Sequence, residues 1–180
     1  DLGNLFDTSN VKKMTVMFYE TGHNVMITLD LGDKFNTSNV TDMNQMFGKC
    51  GAKAMTNIYF GTTEGIETGV ITLPDNFNTA KVQDMHRMFY DFGTDKVKEL
   101  NLGNSFYTSK VIYMSEMFSG CGTTLMTTLN LGTNFNTTKV QNMSGMFQNC
   151  GQTAMTSLDL GDKFYVTAAT DMSNMFNGCG

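Results

Sequence analysis

Four cysteines, two histidines and a scatter of aspartates are the residues whose types could do chemistry in this chain. Cys50, Cys121, Cys150 and Cys179 could ligate a soft metal or act as nucleophiles. Their spacing speaks against zinc, because no C-x-x-C pair occurs. In the repeat described below, the two equivalent positions carry Thr21 and Phe92, and a site that accepts Phe is apolar. We therefore read the cysteines as reduced, buried thiols that pack as small hydrophobes. Parallel side chains stacked one above another also make poor disulfide geometry. His23 and His86 could serve as metal ligands or general bases. They fall at different repeat positions and form no ladder, so we read them as loop or surface histidines. No Gly-x-Ser-x-Gly, phosphate-loop or dinucleotide motif occurs. The expectation is a protein without catalytic residues, metal site or cofactor.

The elements that must position these residues follow from one internal repeat. The pair Met-Phe recurs with another Met three residues earlier, starting at Met14, Met43, Met85, Met114, Met143 and Met172. Successive starts differ by 29, 42, 29, 29 and 29, so one constant period carries a single insertion of 13. The units span about 1–28, 29–57, 71–99, 100–128, 129–157 and 158–180, with the insertion at about 58–70. They form a single repeat domain, which we read as a stretch of a longer array. One Phe column runs Phe6, Phe35, Phe77, Phe106, Phe135, Phe164; another runs Phe18, Phe47, Phe89, Phe118, Phe147, Phe176. The 16 methionines could form a soft-metal or adaptable binding surface. They interleave with Phe, Leu and Val at fixed offsets, however, which is the pattern of core packing.

Thr28-Leu29-Asp30-Leu31 alternates with period two and reads as a short strand, followed by Gly32 in a tight exit turn. Val40, Met43, Met46 and Phe47 lie at i, i+3, i+6 and i+7, which predicts a short helix. Thr8, Thr37, Thr79, Thr108 and Thr137 precede these segments as a cap or a hydroxyl ladder. Each unit is then strand, turn, short helix and return loop. One unit cannot bury its apolar face alone, but stacked units can. The predicted fold is an α/β solenoid with one parallel sheet face.

Leu-Asp-Leu-Gly, Phe-Asn-Thr-Ser-Asn-Val-Thr-Asp-Met and Met-Phe-x-x-Cys, all within residues 29–50, resemble the BspA-like leucine-rich repeat of bacterial surface proteins. That repeat also occurs in surface lipoproteins of mycoplasmas and in cell-wall proteins of low-GC Gram-positive bacteria. The units here are a few residues longer than the common form, at the strand exit and before the next strand. The resemblance implies a leucine-rich-repeat-like solenoid at the bacterial cell surface. It further implies an extracellular, non-enzymatic protein used for adhesion or surface interaction.

Composition narrows the partners. The net charge is −5, with 12 Lys and Arg against 17 Asp and Glu, and no basic cluster exists to neutralise phosphates. Nucleic acid is therefore an unsuitable partner. No apolar run is long enough to span a bilayer, so direct membrane insertion is not expected. The remaining partners are a protein or glycan on a host or neighbouring cell, or further copies of the chain, whose end rungs would stack into a filament or surface layer.

Two places are candidates for binding. The outward positions of the sheet should include Asp30, Thr72, Asn101, Asn130 and Asp159, a polar and slightly acidic face. Ca²⁺ through Asp30, Asp33, Asp159 and Asp162 is a weaker option, because these Asp do not recur in every rung. The insertion has β-prone ends around a Gly/Thr-rich middle and predicts a projecting hairpin presenting Tyr59, Phe60 and Ile66.

Overall fold

A computed structural model describes residues 2–3, 5–61 and 67–180. Among them, five short strands lie in chain order: β1 (Thr28–Asp30), β2 (Asn57–Tyr59), β3 (Val70–Thr72), β4 (Glu99–Asn101) and β5 (Thr128–Asn130). Their pairings are parallel. β1 pairs with β2, and β3, β4 and β5 form a separate three-stranded sheet. Thr28 sits opposite Asn57, and Glu99 opposite Thr128, so the register is the sequence period itself. On the far side of each coil a second ladder of single bridges runs Lys13, Asp42, Asp84, Tyr113, Asn142, Asp171. The chain is thus a stack of coils joined rung to rung by parallel backbone pairing on two sides.

The predicted short helices are absent among the described residues, and turns replace them. Backbone donors alternate in their targets. Met46, Gly48 and Cys50 donate to the carbonyls of Met43, Gln45 and Phe47, each one turn back. Gln45, Phe47 and Lys49 donate across to His86, Met88 and Tyr90 of the next rung. Gln45 and Lys49 have φ of 53° and 55°, the left-handed value that the third residue of a type II turn requires. An α-helix cannot contain such residues. A ribbon of turns bonded from i to i+3 produces the same Met43–Met46 spacing as a helix, which is why periodicity alone misassigned it.

Like residues stack on like. The second Phe column runs from Phe18 to Phe176 with centroids 5.3–5.8 Å apart and planes within 13°. That is offset stacking at its favoured separation. The Met columns and most Leu positions fill the rest of one continuous core. The Thr column is buried and bridges rungs. Thr108 Oγ1 donates to the Asn136 carbonyl at 2.8 Å and accepts from the Asn136 N–H at 2.6 Å. Thr8 and Thr137 do the same with Asn36 and Tyr165. The hydroxyls supply pairing where the main chain turns away from its neighbour.

The described residues of the insertion do not pair as the two arms of a projecting hairpin, and its expected tip, residues 62–66, lies outside the described residues. Its first residues form β2, parallel to β1, and Ile58-Tyr59-Phe60-Gly61 takes the place of a regular Leu-x-Leu-Gly. Phe60 lies 6.1 Å from both Phe35 and Phe77, packed against the side of the Phe column, whose own rings stack directly at 6.3 Å. On the far side Asp42 pairs directly with Asp84. The insertion therefore adds one strand to the strand side alone. The ladder breaks between β2 and β3, where the Asn57 carboxamide donates to the Glu67 and Val70 carbonyls at 3.0 and 3.1 Å. Ile66 lies outside the described residues.

Candidate functional site

Most of the expected sheet-face residues hold the fold's own turns. The Asp30 carboxylate accepts the Gly32 N–H at 2.9 Å, the Asn130 side-chain carbonyl accepts that of Gly132, and Asp159 accepts that of Gly161. Each is an Asx turn that bends the chain out of the strand. Asn101 donates to Glu99 at 2.9 Å, and Thr72 is exposed on β3. The register brings Asp30 beside Tyr59, and Thr72, Asn101 and Asn130 into one row. Asn130 and Asp159 line a common cavity of about 320 Å³. Among the described residues no three His, Cys, Asp or Glu side chains group as a metal site would need.

Three of the thiols are pushed towards the protonated form. Burial raises Cys50 to about 12 and Cys179 to about 11. Cys121 is pushed well up by its hydrogen bond with Cys150 and by burial. All four are free thiols. His86 is half-buried, with Nδ1 2.7 Å from Ser115 Oγ, and His23 Nδ1 lies 3.4 Å from the Lys49 carbonyl.

A different cluster, on the turn ribbon, went unseen in the sequence. Arg87 makes a two-point ion pair with Glu116, Nε–Oε2 at 3.0 Å and Nη2–Oε1 at 2.8 Å, and its guanidinium lies 5.2 Å from the Tyr90 ring centroid. Across the two preceding rungs, Lys49 sits 3.4 Å from Glu20 and 5.8 Å from the Tyr19 centroid. The Tyr19 hydroxyl and then Glu20 hold the Lys49 ammonium above its usual range, and the hydrogen bond to Glu116 raises Arg87. Burial raises Tyr90 and the adjacent Asp91. Gly48 separates the two halves. A methyl group there would lie 2.9 Å from the Tyr19 ring, so the bare backbone makes room for it.

This cluster is concentrated in the first four rungs, and its backbone is strained. Glu20, Lys49, Arg87, Asp91 and Glu116 all have φ between 49° and 58°. A non-glycine residue held there costs on the order of 1–2 kcal/mol. The equivalent columns carry Gly120 in the fourth rung, and Gly145, Gly178, Asn149 and Asn174 in the fifth and sixth. The fold is content with Gly or Asn there, so the charged side chains are not demanded by the stack. Their pairing joins residues one full period apart, and a search for repeated residues passes over the columns that vary.

The chain matches the family described as Mycoplasma protein of unknown function, DUF285, over residues 1–94 and again over 53–180. It belongs to that family. No curated protein and no solved structure matches the chain. The two matched spans overlap and together cover the whole chain. Arginine and tyrosine over a rigid scaffold, with carboxylates between them, suit recognition of a polar partner.

Proposed function

We propose that this chain is a non-enzymatic module of a bacterial cell-surface protein, kin to the BspA-like leucine-rich repeat, that binds a protein or glycan on a host or neighbouring cell. The observation that carries this reading is the Tyr19–Lys49–Arg87–Tyr90–Glu116 cluster. It is displayed on a stack bonded rung to rung, and its Lys49, Arg87 and Glu116 are held on left-handed backbone that other rungs relax with Gly. Aromatic and arginine side chains held in place lose little freedom on binding, which favours affinity. The test is binding of the fluorescent chain to host cells, measured by flow cytometry for the parent and for Arg87→Ala/Tyr90→Ala. Binding that falls at least tenfold in the variant supports the reading. Equal binding by both, or none by the parent, overturns it. Protease or glycosidase treatment of the cells then separates a protein from a glycan partner.

A second reading is structural: self-assembly by end-to-end stacking. Supporting it, parallel backbone pairing joins like rung to like on both sides of the stack, a contact that one copy could extend to the next. A mass that stays at the single-chain value of 19.9 kDa at all concentrations by light scattering would exclude it.

A further inference from the structure

The last rung separates from β5 and then rejoins it. Apart from the break between β2 and β3, the other strand-side rungs are close-bonded. Leu31 donates to Tyr59, Leu73 to Asn101 and Leu102 to Asn130, at 2.9–3.0 Å. The corresponding bond from Leu131 to Asp159 is not made, and residues 157–159 form no strand. A methyl group added at Gly103 or Gly132 would lie 2.5 or 2.3 Å from a carbonyl oxygen of the preceding rung. One added at Gly161, the equivalent position, would meet nothing within 4 Å. Contact resumes where Thr137 donates to Lys163 at 3.2 Å and Met143 to Asp171 at 2.9 Å.

The opening is continuous along β5. One cavity of about 320 Å³ is lined by residues 127–132 with Ser157, Asp159 and Gly161. A second, of about 470 Å³, shares Asn130, Gly132, Asp159 and Gly161 with it and reaches Phe135. Leu129, Leu131 and Phe135 lie buried beneath. The strand side already holds one strand with no counterpart on the far ladder, namely β2, whose Ile58 is buried and whose Phe60 packs against the side of the Phe column. The same stack thus tolerates an added strand while the turn side keeps its register.

We propose that this opening is a peptide-binding site. An extended segment of another polypeptide adds to β5 as a parallel strand, its carbonyl accepting the Leu131 N–H. Two apolar side chains at alternate positions fill the space over Leu129 and Phe135, as Ile58 and Phe60 do in β2. Main-chain bonds supply affinity, and the alternating pair supplies selectivity. The site is separate from the ribbon cluster, and its failure would leave that cluster's role untouched.

The probe is the capped peptide of residues 56–61, Thr-Asn-Ile-Tyr-Phe-Gly, titrated into the ¹⁵N-labelled chain. The expected result is saturable shifts at the Leu131 and 159–161 amides. A peptide with Ser in place of Ile and Phe should bind at least tenfold more weakly. So should a peptide N-methylated along its bonding edge, since one lost ladder bond of about 1.4 kcal/mol is a factor of ten. No shifts at millimolar peptide, or shifts confined to other amides, would overturn the proposal. So would binding indifferent to N-methylation. Hydrogen exchange of the free chain gives an independent check. Leu131 should exchange far faster than Leu102, and equal protection would mean the opening is closed and the proposal fails.

Discussion

Replacing Thr108 by Val removes one hydroxyl from the buried column and leaves its shape almost unchanged. Thr108 is fully buried, and its Oγ1 both donates to and accepts from Asn136 of the next rung, at 2.8 and 2.6 Å. The variant strands one N–H and one carbonyl. A buried polar group without a partner costs about 1–3 kcal/mol. Asn136 is half-buried, so water satisfies part of this, and we expect a loss of about 2–3 kcal/mol in total. In a chain of this length that lowers Tm by roughly 4–12 °C. Thr108→Ser keeps the hydroxyl and gives up one methyl, so it should cost only about 1 kcal/mol. Urea unfolding followed by far-UV circular dichroism gives both numbers. A Val variant within about 0.5 kcal/mol of the parent, the range of an inconsequential surface change, would refute the bridging role of this column. A Ser variant less stable than the Val variant would refute it too.

Further outcomes follow from the backbone and the thiols. Gln45→Gly should stabilise the chain by up to about 1 kcal/mol by relieving its left-handed φ, as thermal unfolding would register. Gly51→Ala should do the opposite by more than about 2 kcal/mol, because its φ is 57° and the new methyl would lie 2.1 Å from Met55 Cβ. Gly48→Ala should displace the Tyr19 ring while leaving the Phe columns intact, visible as shifts of the Tyr19 ring protons by NMR. Cys50 should resist a thiol reagent at pH 8 in the native state and react once unfolded, since its thiol lies at about 12 rather than the ordinary 9.0. The folded form holds that proton longer than the unfolded form. The corresponding stability is present in full below about pH 9 and is lost as pH rises towards 12, which unfolding curves across that window would measure.

The stacking was legible in the sequence because like must lie on like. Phe, Met and Thr recur at fixed offsets when each coil buries its side chains against the next. The turn ribbon was not, because i and i+3 fall on one side in a helix and in a chain of turns alike. The discriminating residues were present: Gly120, Gly145 and Gly178, with Asn149 and Asn174, occupy the columns where φ is positive. Helix interiors disfavour both residue types. The extra strand was also readable, since Ile58-Tyr59-Phe60-Gly61 has the form of the regular strand and its exit. Treating it as surplus to the period hid that. Asp30 lies in β1, Asn130 in β5 and Asp159 in the last rung, but a sequence does not reveal that their oxygens are committed to Gly N–H groups two residues on. The Arg87–Glu116 and Lys49–Glu20 pairs depend on which residues stack across rungs. Repeated residues advertise that alignment, and variable ones do not.

The stacked-coil arrangement is tested most directly by a map of amide and α-proton contacts in the isotopically labelled chain. Cross-rung contacts should occur at two different separations at once. Thr28 should meet Asn57, one period away, while Asp42 should meet Asp84, one period plus the insertion away. Left-handed couplings should appear at Gln45 and Lys49. A continuous run of helical contacts through residues 40–50, with no contact between Asp42 and Asp84, would contradict the arrangement.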